Sequence, residues 1–181
     1  MSTRERQVVG LVSLLLTASA FPAGQAEGRY GLGRPIGEEE LASWNIDVRP
    51  DGAGLPPGRG TVAQGREVYL AKCSACHGEK GEGSPMDRLV GGTGTLATDK
   101  PVKTVGSYWP YATTLFDYVR RTMPFTDPQG LGAEETYAVT AYVLFLNGIV
   151  DESAALDART LPEVVMPNRG GFLPDSRPDA P

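Results

Sequence analysis

The stretch "AKCSACHGEK" (residues 71–80) holds both cysteines of the chain, Cys73 and Cys76, and its only histidine, His77. Every thiol and imidazole of the protein is thus confined to a Cys-x-x-Cys-His run. A bare Cys-x-x-Cys is shared with redox dithiols and with zinc sites. Zinc needs further Cys or His ligands, and the chain has none. A redox dithiol wants a strand–helix–strand context, and the flanking sequence has helical periodicity instead. A disulfide between the two would close a very small loop and stabilise little. The run that remains is the attachment signature of c-type haem. Two thiols at this spacing reach the two vinyl groups on one edge of the porphyrin, and the adjacent histidine is carried under the iron. Cys73 and Cys76 are therefore the expected covalent anchors and His77 the expected proximal ligand of one haem c.

The lone histidine also constrains the opposite face of the iron, because bis-histidine ligation within the chain is impossible. Methionine is the usual alternative. The candidates are Met1, Met86, Met123 and Met166. Met1 would leave with an export signal, and Met86 follows His77 too closely to round the haem edge. Met123 ends a helical pattern and precedes Pro124, which holds the chain in a non-helical turn. Met123 is the expected distal ligand, with Met166 next in line; Lys100, Lys103 or an open position are the remaining options. With His77 on iron, no Ser-His-Asp or Cys-His catalytic arrangement exists, so no bond-making catalysis is expected of this chain.

Helical spacing surrounds the motif. Thr61 caps "VAQGREVYLAK", with Gln64 where a capping box requires it. "YATTLFDYVRRT" (111–122) and "AEETYAVTAYVLFLN" (133–147) have helical spacing, the second ended by Asn147-Gly148. No strand signal stands out. "GGTGT" (91–95) lacks the ending of a phosphate-binding loop and reads as a plain loop. Tyr108 and Trp109 are candidates for haem propionate contacts or for the core, and Arg120 and Arg121 for propionate neutralisation or for solvent.

Residues 1–26 read as an export signal: Arg4 and Arg6, the apolar run 8–21, then small residues, with cleavage after Ala20 or Ala26. The run is shorter than the roughly 20 residues of a membrane span, so no stable membrane anchor is expected and the mature protein is expected in the periplasm. Residues 27–60 form an irregular N-terminal arm, 61–148 the mono-haem domain and 149–181 a Pro-rich tail. The arms either lie on a partner, anchored by Trp44 and Phe172, or wrap their own domain. Net charge is −5 with no Lys/Arg cluster, which gives a nucleic-acid role no support.

The order helix, Cys-x-x-Cys-His, loop, helix, Met-Pro, final helix resembles a class I cytochrome c over residues 61–148, an all-α fold. "YGLGRP" (30–35), "WNIDVRPDGAGLPPGRG" (44–60), "PVKTVGSYWPYATTLFDYVRRTMPF" (101–125) and "MPNRGGF" (166–172) are similar to the cytochrome subunits of sulfane dehydrogenases, the SoxD type. That resemblance implies a molybdenum-cofactor dehydrogenase subunit as partner, with sulfane or sulfite as the group oxidised there, and a downstream cytochrome c as acceptor. Some members carry a second haem domain, whereas this chain has one Cys-x-x-Cys-His, which implies a simpler onward electron path. A free periplasmic electron carrier is the alternative, and a haem sensor with an exchangeable distal position a third reading.

Overall fold

The computed structural model describes residue 30 and residues 32–176; the expected export signal, 1–26, lies outside them. The chain divides into two compact units, with the boundary between Leu41 and Ala42. Near that boundary lies α1 (Glu38–Ala42), a single turn with three glutamates. Within the first unit an exposed Arg34–Glu40 ion pair at 2.6 Å ties the segment before α1 to the helix.

The second unit is built on three helices: α2 (Val62–Lys72), α4 (Ala112–Thr122) and α5 (Ala133–Leu146), with the one-turn α3 (Ser74–His77) directly after α2. The start of α2 follows from its cap. The Gln64 amide N–H donates to Thr61 Oγ1 at 3.2 Å, and the Gln64 side-chain oxygen accepts from the Thr61 N–H at 2.9 Å. This reciprocal box satisfies two otherwise unpaired amides at the helix start. At the start of α5 Glu135 reaches back to the Gly132 N–H at 3.0 Å.

Helix α5 is central. Residues 136–144 are all buried, because α2, α4 and a small β-ladder cover it from different sides. Against α4 it sets Tyr137 on Phe116, ring centroids 4.5 Å apart. Against α2 it sets Tyr142 on Tyr69 at 5.3 Å. The α2–α5 crossing is close enough to require glycine. A Cβ on Gly65 would lie 1.8 Å from the Ala138 carbonyl oxygen, and one on Gly60 would lie 2.1 Å from the Ala138 nitrogen.

The architecture is all-α, as expected, with one addition. Strand β1 (Arg59–Thr61) pairs antiparallel with β2 (Ala155–Asp157), Gly60 opposite Leu156. Three-residue strands are too short to leave a period-2 pattern, so the sequence showed none. The ladder draws part of each arm onto the helices. Val48, Leu156, Leu161 and Met166 are buried in the same core as Phe116 and Tyr137. The Tyr137 hydroxyl donates to the Pro56 carbonyl at 2.9 Å, and Asn168 donates to the Tyr108 carbonyl at 2.7 Å. Of the two expected anchors, Trp44 is 77% exposed, while Phe172 packs edge-on against Tyr108 at 5.3 Å.

An exposed ion pair, Lys72–Glu135 at 3.0 Å, joins α2 to α5. The Gly132 N–H, and after it Lys72, hold the Glu135 carboxyl below the usual glutamate range. A lowered folded-state value means stability that is present above the unfolded value, about 4.3, and lost as pH falls through the folded value. For so exposed a pair the contribution is under about 1 kcal/mol. Glu135→Gln is therefore expected to lower Tm slightly at pH 7 and to leave it unchanged at the acid end, read from thermal melts across the acid range.

Candidate haem-binding site

Cys73 ends α2 and opens α3. The amides of Cys76 and His77 both donate to the Cys73 carbonyl, at 3.1 and 3.0 Å, and the Gly78 amide donates to Ser74 at 2.8 Å. The motif is thus wound into one helical turn. Residues three and four apart share a helix face, so Cys73, Cys76 and His77 project from one side. Gly78, at φ +82°, lets the chain leave that turn. The loop then folds back: the Met86 amide donates to the Cys76 carbonyl at 2.9 Å and the Gly83 amide to that of His77 at 2.8 Å. The buried Tyr69 hydroxyl donates to the Gly78 carbonyl at 2.8 Å, closing the loop from the α2 side. Burial, and then the neighbouring Cys73, push the Tyr69 phenol well above its ordinary value, so it remains a donor.

His77 Nδ1 lies 2.7 Å from the Asp87 carbonyl oxygen. A carbonyl only accepts, so Nδ1 carries the proton and Nε2 is left with its lone pair free. A metal-ligating histidine is held in this way, ring orientation and tautomer both fixed by the second nitrogen. Cys73 is half-buried and Cys76 exposed. Burial pushes the Cys73 thiol up to about 11, with Lys72 opposing the shift. The donor set therefore fits a haem, with two sulfurs and one imidazole nitrogen on a single turn.

The three methionines among the described residues have different surroundings. Met86 is 55% exposed and Met166 is 1% exposed within the hydrophobic core. Met123 is half-buried and caps α4, with its amide donating to the Val119 carbonyl at 3.0 Å and its own backbone extended. It comes from a different element than the Cys73–His77 turn. Among the described residues, no group of three or more His, Cys, Asp or Glu side chains is placed to hold a metal ion.

The residues left open between propionate, core and solvent are now placed. Trp109 packs edge-on against Tyr118 at 5.6 Å, and Lys103 lies 5.0 Å from the Tyr108 ring centroid. Arg120 donates to the Ile46 carbonyl at 3.3 Å, and Arg121 pairs with Asp117 at 2.6 Å. Both arginines are engaged with the α4 surface and the N-terminal arm. "GGTGT" is a loop, with Gly92 and Gly94 at positive φ and the Thr95 hydroxyl donating to the Gly92 carbonyl. Sequence reasoning missed the Asp87 carbonyl, because any residue can offer one. It also missed Gly65, although a glycine in mid-helix was a visible sign of close approach.

Residues 60–143 match the family model described as cytochrome c oxidase, cbb3-type, subunit III. A domain of this type carries haem c. A solved structure, the sulfane dehydrogenase SoxCD from Paracoccus pantotrophus, is similar at 47% identity with a TM-score of 0.77. The match covers 81% of this chain and 73% of that one, more than the helical domain alone. With the helix order and the single-turn Cys-x-x-Cys-His site already in place, this likeness shows that the chain belongs to the SoxD-type cytochromes c.

Proposed function

We propose that this chain is the electron-transfer cytochrome subunit of a periplasmic, molybdenum-dependent dehydrogenase acting on sulfane or sulfite sulfur. One haem c would be held by thioether bonds to Cys73 and Cys76. When bound, that haem supplies a one-electron Fe(III)/Fe(II) couple. His77 presents Nε2 to the iron, and the bond from its Nδ1–H to the Asp87 carbonyl fixes the ring. Met123, at the end of α4, is the proposed distal ligand, and a thioether there raises the reduction potential. The chain itself performs no bond-making step. Its residues set the haem's orientation and exposure, while oxidation occurs on a partner subunit and a downstream cytochrome c takes the electrons onward.

The observation that carries this reading is the 47% identity to a SoxCD chain over 81% of this one, together with the ligand-ready His77. One feature favours a free carrier instead. The arm segments around Val48 and from Leu156 to Asn168 pack on their own helices, which leaves less of them to lie on a partner. Purification of the untagged protein from its native periplasm separates the two. Haem absorbance is expected to co-elute on size exclusion with molybdenum and a second polypeptide. A haem peak at monomer size without molybdenum would instead establish the free carrier.

A further inference from the structure

The N-terminal arm does more than cover apolar surface. Residues 46–50 run along α4 as a strap, tied to it at Ile46, Asp47, Val48 and Pro50. The Val48 amide donates to Asp117 Oδ1 at 2.9 Å. Asp117 Oδ2 accepts from Arg121 at 2.6 Å, and Arg121 reaches on to Asp47 at 3.6 Å. Arg120 donates to the Ile46 carbonyl and Thr113 to the Pro50 carbonyl, each at 3.3 Å. The centre of this network is Asp117, only 8% exposed and bonded through both oxygens.

Helix α4 ends at Met123, six residues on, about 9 Å along the axis at 1.5 Å per residue. A helix transmits displacement along its length, so a shift of α4 moves its cap by a similar amount. On the α5 side α4 is held by apolar contact, Phe116 on Tyr137, which is non-directional. The Asp117 bonds are directional and fix where along its axis the helix sits. We infer that Asp117 is a positioning residue for the distal haem ligand: through the 46–50 strap it fixes the placement of α4 and so keeps the Met123 sulfur on iron. This rests on Met123 being that ligand.

The test uses ferric holoprotein and imidazole, which competes for the distal position. Its apparent affinity rises with the fraction of molecules in which the methionine has let go. Asp117→Ala removes both bonds, while Asp117→Asn keeps a carbonyl able to accept from Val48. Asp117→Ala is expected to bind imidazole at least about tenfold more tightly than the native protein, with Asp117→Asn in between. If Asp117→Ala yields too little holoprotein, Asp117→Asn carries the test on the same affinity scale. Leu156→Ala is the comparator: it cuts a buried side chain on β2, which pairs with β1 and packs on α5 and makes none of the Asp117 bonds, and is expected to lower Tm without tightening imidazole. Should Asp117→Ala lower Tm and leave imidazole affinity at the native value, Asp117 is structural only and the inference falls. Met123→Ala separates the two assignments, since the methionine–iron charge-transfer band must vanish in it. A band that persists there overturns the ligand assignment and the inference together. A band that vanishes, with imidazole affinity unmoved in Asp117→Ala, overturns the inference alone.

Discussion

With Cys73 and Cys76 both replaced by alanine, essentially no haem is expected to stay with the chain on a denaturing gel stained for haem peroxidase activity. The geometry states why both sulfurs matter. They sit three residues apart on one helical turn, with the His77 ring fixed beside them. In the variant any retained haem depends on coordination by His77 and the distal ligand, and these bonds do not survive denaturation. The single variants are expected to differ from the double one: each keeps one thioether and holds haem through denaturation. The two thiols also differ from each other. Cys76 is exposed, and Cys73 is half-buried with its thiol held up to about 11. Haem staining in neither single variant would mean that the two bonds form only together. Haem staining in the double variant would show a covalent link elsewhere and overturn the assignment of both cysteines. A domain with so small a helical core commonly depends on a staple or cofactor, so the double variant should also melt at lower temperature.

Gly65→Ala is expected to destabilise the domain by about 2–3 kcal/mol, a large effect for one methyl group. On an exposed helix the same change would stabilise by up to about 1 kcal/mol, since glycine is a poor helix former. Here the added Cβ would meet the Ala138 carbonyl oxygen at 1.8 Å and the Tyr142 Cβ at 2.8 Å. The first obstacle is backbone, so no side-chain rotation relieves it. Helices α2 and α5 must move apart, which loosens the Tyr69–Tyr142 contact and the β-ladder beyond it. Gly37→Ala is the matched control, because no atom lies within 4 Å of its Cβ position and its φ is not positive. Denaturant melts of the two variants check the difference. Equal stabilities would mean that the crossing is looser than the structure shows.

What the sequence made legible, and what it hid, follows from the range of each interaction. Local chemistry was readable. The Thr61–Gln64 cap, the 112–122 and 133–146 helices and the Cys-x-x-Cys-His turn are each set by residues a few positions apart. Interactions that join a side chain to a distant backbone group were not. Asp117 holds the Val48 amide, Arg120 the Ile46 carbonyl and Tyr137 the Pro56 carbonyl. An amide or carbonyl is present at nearly every position, so no residue type announces the pairing. The arms looked too polar and Pro-rich to build a core. Yet single apolar residues in them, Val48, Leu156, Leu161 and Met166, join the core that the helices supply. Met166 illustrates the limit of counting ligands. As a residue it was a candidate for iron, and in the fold its side chain is buried in the hydrophobic core, a use suited to its flexibility.

The pairing of β1 with β2 sets an order on how the protein is made. Its two strands come from before α2 and after α5, so they meet only after nearly the whole domain has been synthesised. The α2–α5 crossing has the same property, as the two helices lie on either side of residues 73–132. Contacts between chain-distant segments form late, because loop closure comes before any gain from them. The Cys73–His77 turn, by contrast, is complete within five residues and needs none of this closure. The five-residue turn can therefore form before the clasp of the two strands closes the fold.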